Sequence, residues 1–173
     1  MHKLIVILFL FTSQGMAQKL IIRGEVRFLA LGDSYTIGES VLLRSRWPVQ
    51  LMDSLSKRGI DCPEPTIIAK TGWRTDDLKT AILRAKLKAE YNLVSLLIGV
   101  NDYYQGKSVE SYAPEFEELL KIALDLAGGV KSNVFVLSIP DYGYTPFAKD
   151  SQERISAGID AFNAVNKSIT EKL

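Results

Sequence analysis

The sequence contains one cysteine and one histidine in 173 residues. A lone Cys62 excludes a disulfide framework within the chain and any cysteine-rich zinc site. It also has no imidazole near it in sequence to make it a thiolate nucleophile, so it reads as a small packed residue. His2 is the only imidazole, so everything after position 2 lacks the side chain most often used as a general base near neutral pH. Charge of one sign is equally scarce. Lys and Arg number 21 against 20 Asp and Glu, which removes the electrostatic footprint expected of a nucleic-acid binder or of a protein held on an anionic membrane. The one unbroken apolar run, Leu4 to Phe11, is well short of the roughly 20 residues that span a bilayer as a helix, so no stable membrane anchor is expected. There is no repeat period, no low-complexity tract and no clustered set of His, Cys and carboxylates, so neither a metal nor another cofactor is expected.

What is present has the size and mix of one ordinary globular domain, with 47% hydrophobic and 24% charged residues. The N-terminus departs from that average. His2 and Lys3 precede the apolar run, and the small and polar stretch Thr12 to Ala17 follows it, which is the order of a secretory signal peptide with Gly15 and Ala17 ahead of the cut. Residues 1–17 are therefore expected to be removed on export to the periplasm or the exterior, leaving a mature domain from Gln18 to Leu173.

From there, short β-branched-rich runs alternate with segments of helical period, the pattern of a parallel sheet with helices on its faces. The strands are predicted over Val26–Leu31, Thr66–Ala69, Leu93–Ile98 and Val134–Ile139. The first helix follows Trp47 and Pro48, presents Leu51, Met52 and Leu55 on one face and ends at Gly59. The second begins near Thr75, whose hydroxyl is expected to cap it, and buries Leu78, Ile82 and Ala85. The third carries Tyr112, Phe116, Leu119, Leu120 and Ala123 and stops at Gly128 and Gly129. The fourth carries Ile155, Ile159, Phe162 and Ile169 and runs to Leu173 without a stop signal. A closing strand and helix would need at least about 25 further residues, so the sequence is expected to be part of a longer chain.

In an open parallel sheet the ligand site lies where loops leave the C-terminal strand ends. Those loops hold Gly32-Asp33-Ser34-Tyr35-Thr36, Thr71-Gly72-Trp73, Gly99-Val100-Asn101-Asp102 and Pro140-Asp141-Tyr142-Gly143-Tyr144. Ser34 sits at a sharp strand exit that suits a nucleophile, and equally suits a helix cap. Gly72 is either a turn glycine or a backbone N–H that a substrate can approach because no Cβ stands in the way. Asn101 is either a loop residue bonding its own backbone or an uncharged donor aimed at a developing oxyanion. The three come from three successive loops on one sheet edge, and that convergence favours the chemical reading of each.

The stretch Phe28-Leu29-Ala30-Leu31-Gly32-Asp33-Ser34-Tyr35-Thr36 resembles the first sequence block of SGNH (GDSL-type) hydrolases, with Tyr35 where that name has leucine. Gly72 resembles the second block and Gly99-Val100-Asn101-Asp102 the third, G-x-N-D, in the right order from Val26 onward. The resemblance implies a three-layer, flavodoxin-like α/β fold with a mostly parallel sheet and helices on both faces, lacking its last strand and helix here. It implies a serine ester hydrolase in which Ser34 is the nucleophile and the Ser34 N–H, the Gly72 N–H and the Asn101 side chain hold the oxyanion. The family's final block, D-x-x-H, which supplies the base, has no match in the sequence. Its absence and the unfinished fold are expected to share one cause, a C-terminal segment beyond Leu173.

Asp33, Trp73, Asp102, Tyr103 and Tyr142 are expected along the substrate, although Asp33 also reads as a brace for its turn. Tyr104 and Tyr144 are further candidates, while Arg44 and Arg46 read as solvated. The expected partner is a small-molecule, carbohydrate or lipid ester. The G-x-S-x-G signature of α/β-hydrolases fails at Thr36, and the Gly-rich Lys loop of phosphoryl transfer is absent. The competing reading is a glycan- or lipid-binding module, or an inactive fragment, because the sequence as it stands lacks the base.

Overall fold

The computed structural model describes residues 24–173; the expected signal peptide lies outside them. Four parallel strands form one sheet: β1 (Phe28–Gly32), β2 (Thr66–Ala69), β3 (Leu93–Leu97) and β4 (Val134–Val136), in the order β2-β1-β3-β4. The helices are α1 (Ser34–Ile37), α2 (Trp47–Ser56), α3 (Thr75–Ala85), α4 (Val100–Tyr104), α5 (Val109–Leu126) and α6 (Gln152–Lys172). The β-α alternation predicted from the sequence is thus the architecture of the described residues.

Every residue of β1 and β3 is buried, which is why both strands read as nearly continuous apolar runs rather than alternating ones. Side chains nonetheless alternate between faces with period two. Leu29 and Leu31 of β1 and Val94 and Leu96 of β3 join the larger core with Leu78 and Ile82 of α3, Phe116 and Leu119 of α5, and Ile159 and Phe162 of α6. Phe28, Ala30 and Leu93 point the other way, toward Met52 of α2. Phe28, Trp47 and Phe135 form an aromatic cluster on that side, with ring centroids 5.9 to 6.5 Å apart. The layers are therefore unequal, with α2 on one face and α3, α5 and α6 on the other. Edge strands β2 and β4 are only half-buried.

Several expectations shift in detail. The fourth strand ends its ladder at Val136 rather than Ile139. Beyond it, the Ile139 N–H donates to Asn163 Oδ1 at 2.8 Å, and Asn163 Nδ2 donates back to the Ile139 carbonyl at 3.0 Å, so an α6 side chain satisfies the backbone that a strand partner would otherwise pair. Thr75 does not cap α3. It is the helix's first residue, and its hydroxyl turns inward to Asp102 at 2.7 Å, while the Arg74 N–H is met by Asp77 Oδ2 at 3.2 Å. Ala85 is exposed and Ile169 half-buried, because the apolar stripes of α3 and α6 rotate off the core near their ends. Arg46 is half-buried rather than solvated.

Candidate active site

β1 and β3 are neighbours in the sheet, yet the chain leaves β1 toward β2 on one side and β3 toward β4 on the other. The loops at their C-terminal ends diverge, and divergence opens a crevice at this switch point. Ser34 and Asn101 leave those two strands, and both line one pocket of about 250 Å³ with Tyr35, Val100, Tyr104, Tyr142 and Phe147. The two sequence-predicted residues with the most distinct chemical roles are thus brought together by strand order.

The turn at Ser34 is set by its neighbours. Asp33 is the N-cap of α1 and its Oδ1 accepts the Tyr35 N–H at 3.0 Å. Gly32 needs to be glycine because an added Cβ would lie 2.2 Å from Thr36 Oγ1 and 2.5 Å from the Leu97 carbonyl oxygen. The Ser34 carbonyl accepts from the N–H groups of Gly38 and Glu39, both at 3.0 Å, whereas its own N–H meets no acceptor among the described residues. An unpaired N–H beside the hydroxyl of the same residue is what an oxyanion donor requires.

Gly72 follows β2 in a turn with φ +83°, exposed, with no atom within 4 Å of where a Cβ would stand. Space over its backbone is open, though Gly72 does not line the Ser34 pocket itself. Two contacts link its turn to the other loops. Thr71 Oγ1 donates to Glu39, just past α1. Asn101 Nδ2 donates to the Trp73 carbonyl at 2.8 Å. That bond occupies one of the two amide protons of Asn101 and leaves the other for a ligand.

Asp33 and Asp102, expected along the substrate, lie buried behind the pocket at 1% and 0% exposure. Burial pushes the Asp33 carboxyl up to about 7; the Tyr35 N–H opposes the shift and the Asp102 charge adds to it. Asp102 Oδ2 accepts the Thr75 N–H at 3.1 Å, and its Oδ1 sits 2.9 Å from Lys107 Nζ. Trp73 is half-buried against the larger core and offers its carbonyl, rather than its ring, to the site.

Tyr103 and Tyr142 line a second cavity of about 540 Å³, which shares Tyr104, Tyr142 and Phe147 with the Ser34 pocket and reaches Lys107 and Arg154. The Tyr103 hydroxyl donates to the Arg154 carbonyl at 3.0 Å. Its ring lies so close to α6 that a Cβ on Gly158 would stand 2.1 Å from it, which accounts for a glycine inside that helix. Tyr144 is exposed and lines neither cavity. Phe147 and Lys107 were not singled out in the sequence. Phe147 sits in a 3₁₀ segment, Pro146–Ser151, which has no apolar period to betray it.

Residues 24–173 contain no histidine. Among the described residues no group of His, Cys, Asp and Glu is gathered closely enough to hold a metal ion, and no helix is long and apolar enough to cross a membrane.

The sequence matches the model of the GDSL-like lipase/acylhydrolase family over residues 30–173. The chain belongs to that family. Membership places it among hydrolases acting on ester bonds. No curated protein matches it. Solved structures share the fold at low identity. TesA superposes with a TM-score of 0.64 at 19% identity, over 84% of this chain and 73% of that one. AlinE4, an SGNH-hydrolase family esterase, gives 0.63 at 20%, over 87% and 74%. Axe2, an acetylxylan esterase from Geobacillus stearothermophilus, gives 0.64 at 18%, over 86% and 74%. The α/β architecture expected from the sequence, a parallel sheet with helices on both faces, is shared with these structures.

Proposed function

We propose that this GDSL-family chain cleaves acyl or acetyl esters through Ser34 as nucleophile. Ser34 Oγ attacks the ester carbonyl, and the charge that develops on the carbonyl oxygen is met by the Ser34 N–H, the Gly72 N–H and the free amide proton of Asn101. Collapse of the tetrahedral intermediate expels the alcohol and leaves an acyl-serine, which water then hydrolyses. The proton of Ser34 has to pass to a base and return to the leaving alcohol. With no histidine in residues 24–173, the reading calls on a base from outside them.

The observation that carries the reading is the shared pocket of Ser34 and Asn101 at the β1/β3 switch point, with the Asn101 amide already oriented by the Trp73 carbonyl. The aromatic cavity beside it, reaching Lys107 and Arg154, suits the remainder of a small-molecule, carbohydrate or lipid ester. Release of nitrophenol from p-nitrophenyl acetate tests the proposal. In a protein that also carries the base, Asn101→Ala is expected to turn over on the order of 10²–10³ slower, the usual cost of one oxyanion donor, while remaining folded. Equal turnover would remove Asn101 from the mechanism, and ligand binding without any turnover when the base is present would favour a binding module instead.

We further propose export with cleavage after Ala17, supported by the charge, apolar and small-residue order of the N-terminus. The intact mass of the mature protein is then that of a chain beginning at Gln18, and retention of Met1 would overturn it.

A further inference from the structure

Behind the pocket lies a polar cluster that the proposed reaction does not use directly. Lys107 Nζ, with its side chain 13% exposed, stands 2.9 Å from Asp102 Oδ1, 2.5 Å from Glu115 Oε2 and 3.1 Å from Thr75 Oγ1. The Thr75 hydroxyl is within donating range of both Asp102 and Glu115. It carries a single proton and so serves one carboxylate at a time, which leaves the Lys107 ammonium as the group that bridges both. Asp102 is completely buried, and a buried carboxylate is tolerated when it is paired and hydrogen-bonded. Lys107, the Thr75 N–H and the Thr75 hydroxyl supply those partners.

The position of the cluster gives it a consequence for the site. Asp102 directly follows Asn101 at the start of α4, and Thr75 lies two residues after Trp73, whose carbonyl holds the Asn101 amide. Two crosslinks therefore run in parallel between the same two loops, Asn101 to Trp73 and Asp102 to Thr75. The turn carrying Gly72 is the N-terminal part of one of these loops. Any change that lets Asp102 move away from Thr75 lets Asn101 rotate relative to that turn.

We propose that Lys107 is a positioning residue that, through Asp102 and Thr75, fixes the Asn101 amide against the Gly72 turn. The inference rests on the reading of Asn101 and Gly72 as oxyanion donors. Lys107 touches no reacting atom in this scheme; it holds the charge that keeps Asp102 in place. Glu115, reached from α5, fixes Lys107 in turn, so the long helix behind the site is tied into the same geometry.

The test compares the wild-type chain with Lys107→Met and Lys107→Arg, reading the Asn101 side-chain amide by ¹⁵N NMR and turnover of p-nitrophenyl acetate. In the wild type, one Asn101 amide proton is expected to exchange slowly because it is bonded to Trp73. Lys107→Met should lose that protection and, in a protein that carries the base, lower kcat on the order of tenfold or more, as small misplacements do. Lys107→Arg, which keeps the charge, should restore both. A Lys107→Met chain with the Asn101 amide still protected and kcat unchanged would overturn the proposal. If that variant does not fold, Thr75→Val, which removes the hydroxyl and keeps the N–H, replaces it with the same two expected losses. The NMR reading needs no turnover. Loss of Asn101 protection in a protein that carries the base and still cleaves no ester would uphold the positioning role and sink the esterase reading instead.

Discussion

Asp33 shows at a single residue how the site is built against stability. Its carboxyl titrates near 7 in the folded chain because burial penalises the charged form, whereas in an unfolded chain it titrates near the ordinary carboxylate value, roughly 3.9. Between those values the folded state binds the extra proton, so stability falls as pH rises from about 4 to about 7 and levels off above that. Asp33→Asn keeps the acceptor for the Tyr35 N–H and cannot ionise. Its urea midpoint is therefore expected to fall less between pH 5 and pH 8 than that of the wild type; an equal fall would assign the slope to another group. The shared position of Ser34 and Asn101 at one crevice was legible in the sequence because each stands just after an apolar strand. Lys107 was not, since a lysine after Gly106 reads as solvated and only the tertiary fold brings it to Asp102. The burial of Asp102 was hidden for the same reason.

At the scale of the element, β2 was read to the residue and the other strands and long helices to within a few, because a parallel sheet with covered faces writes long apolar runs. What escaped were α1 and α4, five residues or fewer each, too short to show a helical period. Gly99 explains why α4 can start where it does. It adopts φ +126°, and an added Cβ would lie 2.6 Å from Tyr112 Oη and 2.8 Å from Ile139 Cδ1. That hydroxyl is buried, lies 3.0 Å from the Ile98 carbonyl oxygen and 2.7 Å from Asn166 Oδ1, and donates its single proton to one of them at a time, so it has little room to yield. Gly99→Ala is expected to destabilise the protein by about 2–4 kcal/mol, combining overpacking with an unfavourable backbone conformation. Gly72→Ala, with open space around its Cβ, carries only the backbone part, about 1–2 kcal/mol. Urea unfolding of the two variants checks the order, and equal losses would contradict it.

Across the whole molecule, the candidate site follows from strand order. The sequence shows alternation but not which strands are neighbours; the order β2-β1-β3-β4 sets β1 beside β3 and opens the crevice that Ser34 and Asn101 share. The unequal layers follow from the same order. The chain steps from β1 to β2 in one direction and from β2 across to β3 in the other, and right-handed crossovers then put α2 and α3 on opposite faces. The aromatic cavity continuing from the Ser34 pocket combines residues from α4, from the segment after β4 and from α6, a juxtaposition that no local pattern encodes.

The central claim, that Ser34 is the nucleophile of this site, is tested most directly by trapping. A p-nitrophenyl phosphonate ester offers phosphorus to the attacking hydroxyl, forming a P–O bond to the protein as nitrophenolate leaves, and peptide mass spectrometry then locates the adduct. In a protein that carries the base, the account predicts a single phosphonyl group on Ser34, absent from Ser34→Ala and formed more slowly in Asn101→Ala. Ester hydrolysis at the wild-type rate by Ser34→Ala, or an adduct on another residue with Ser34 unmodified, would contradict it.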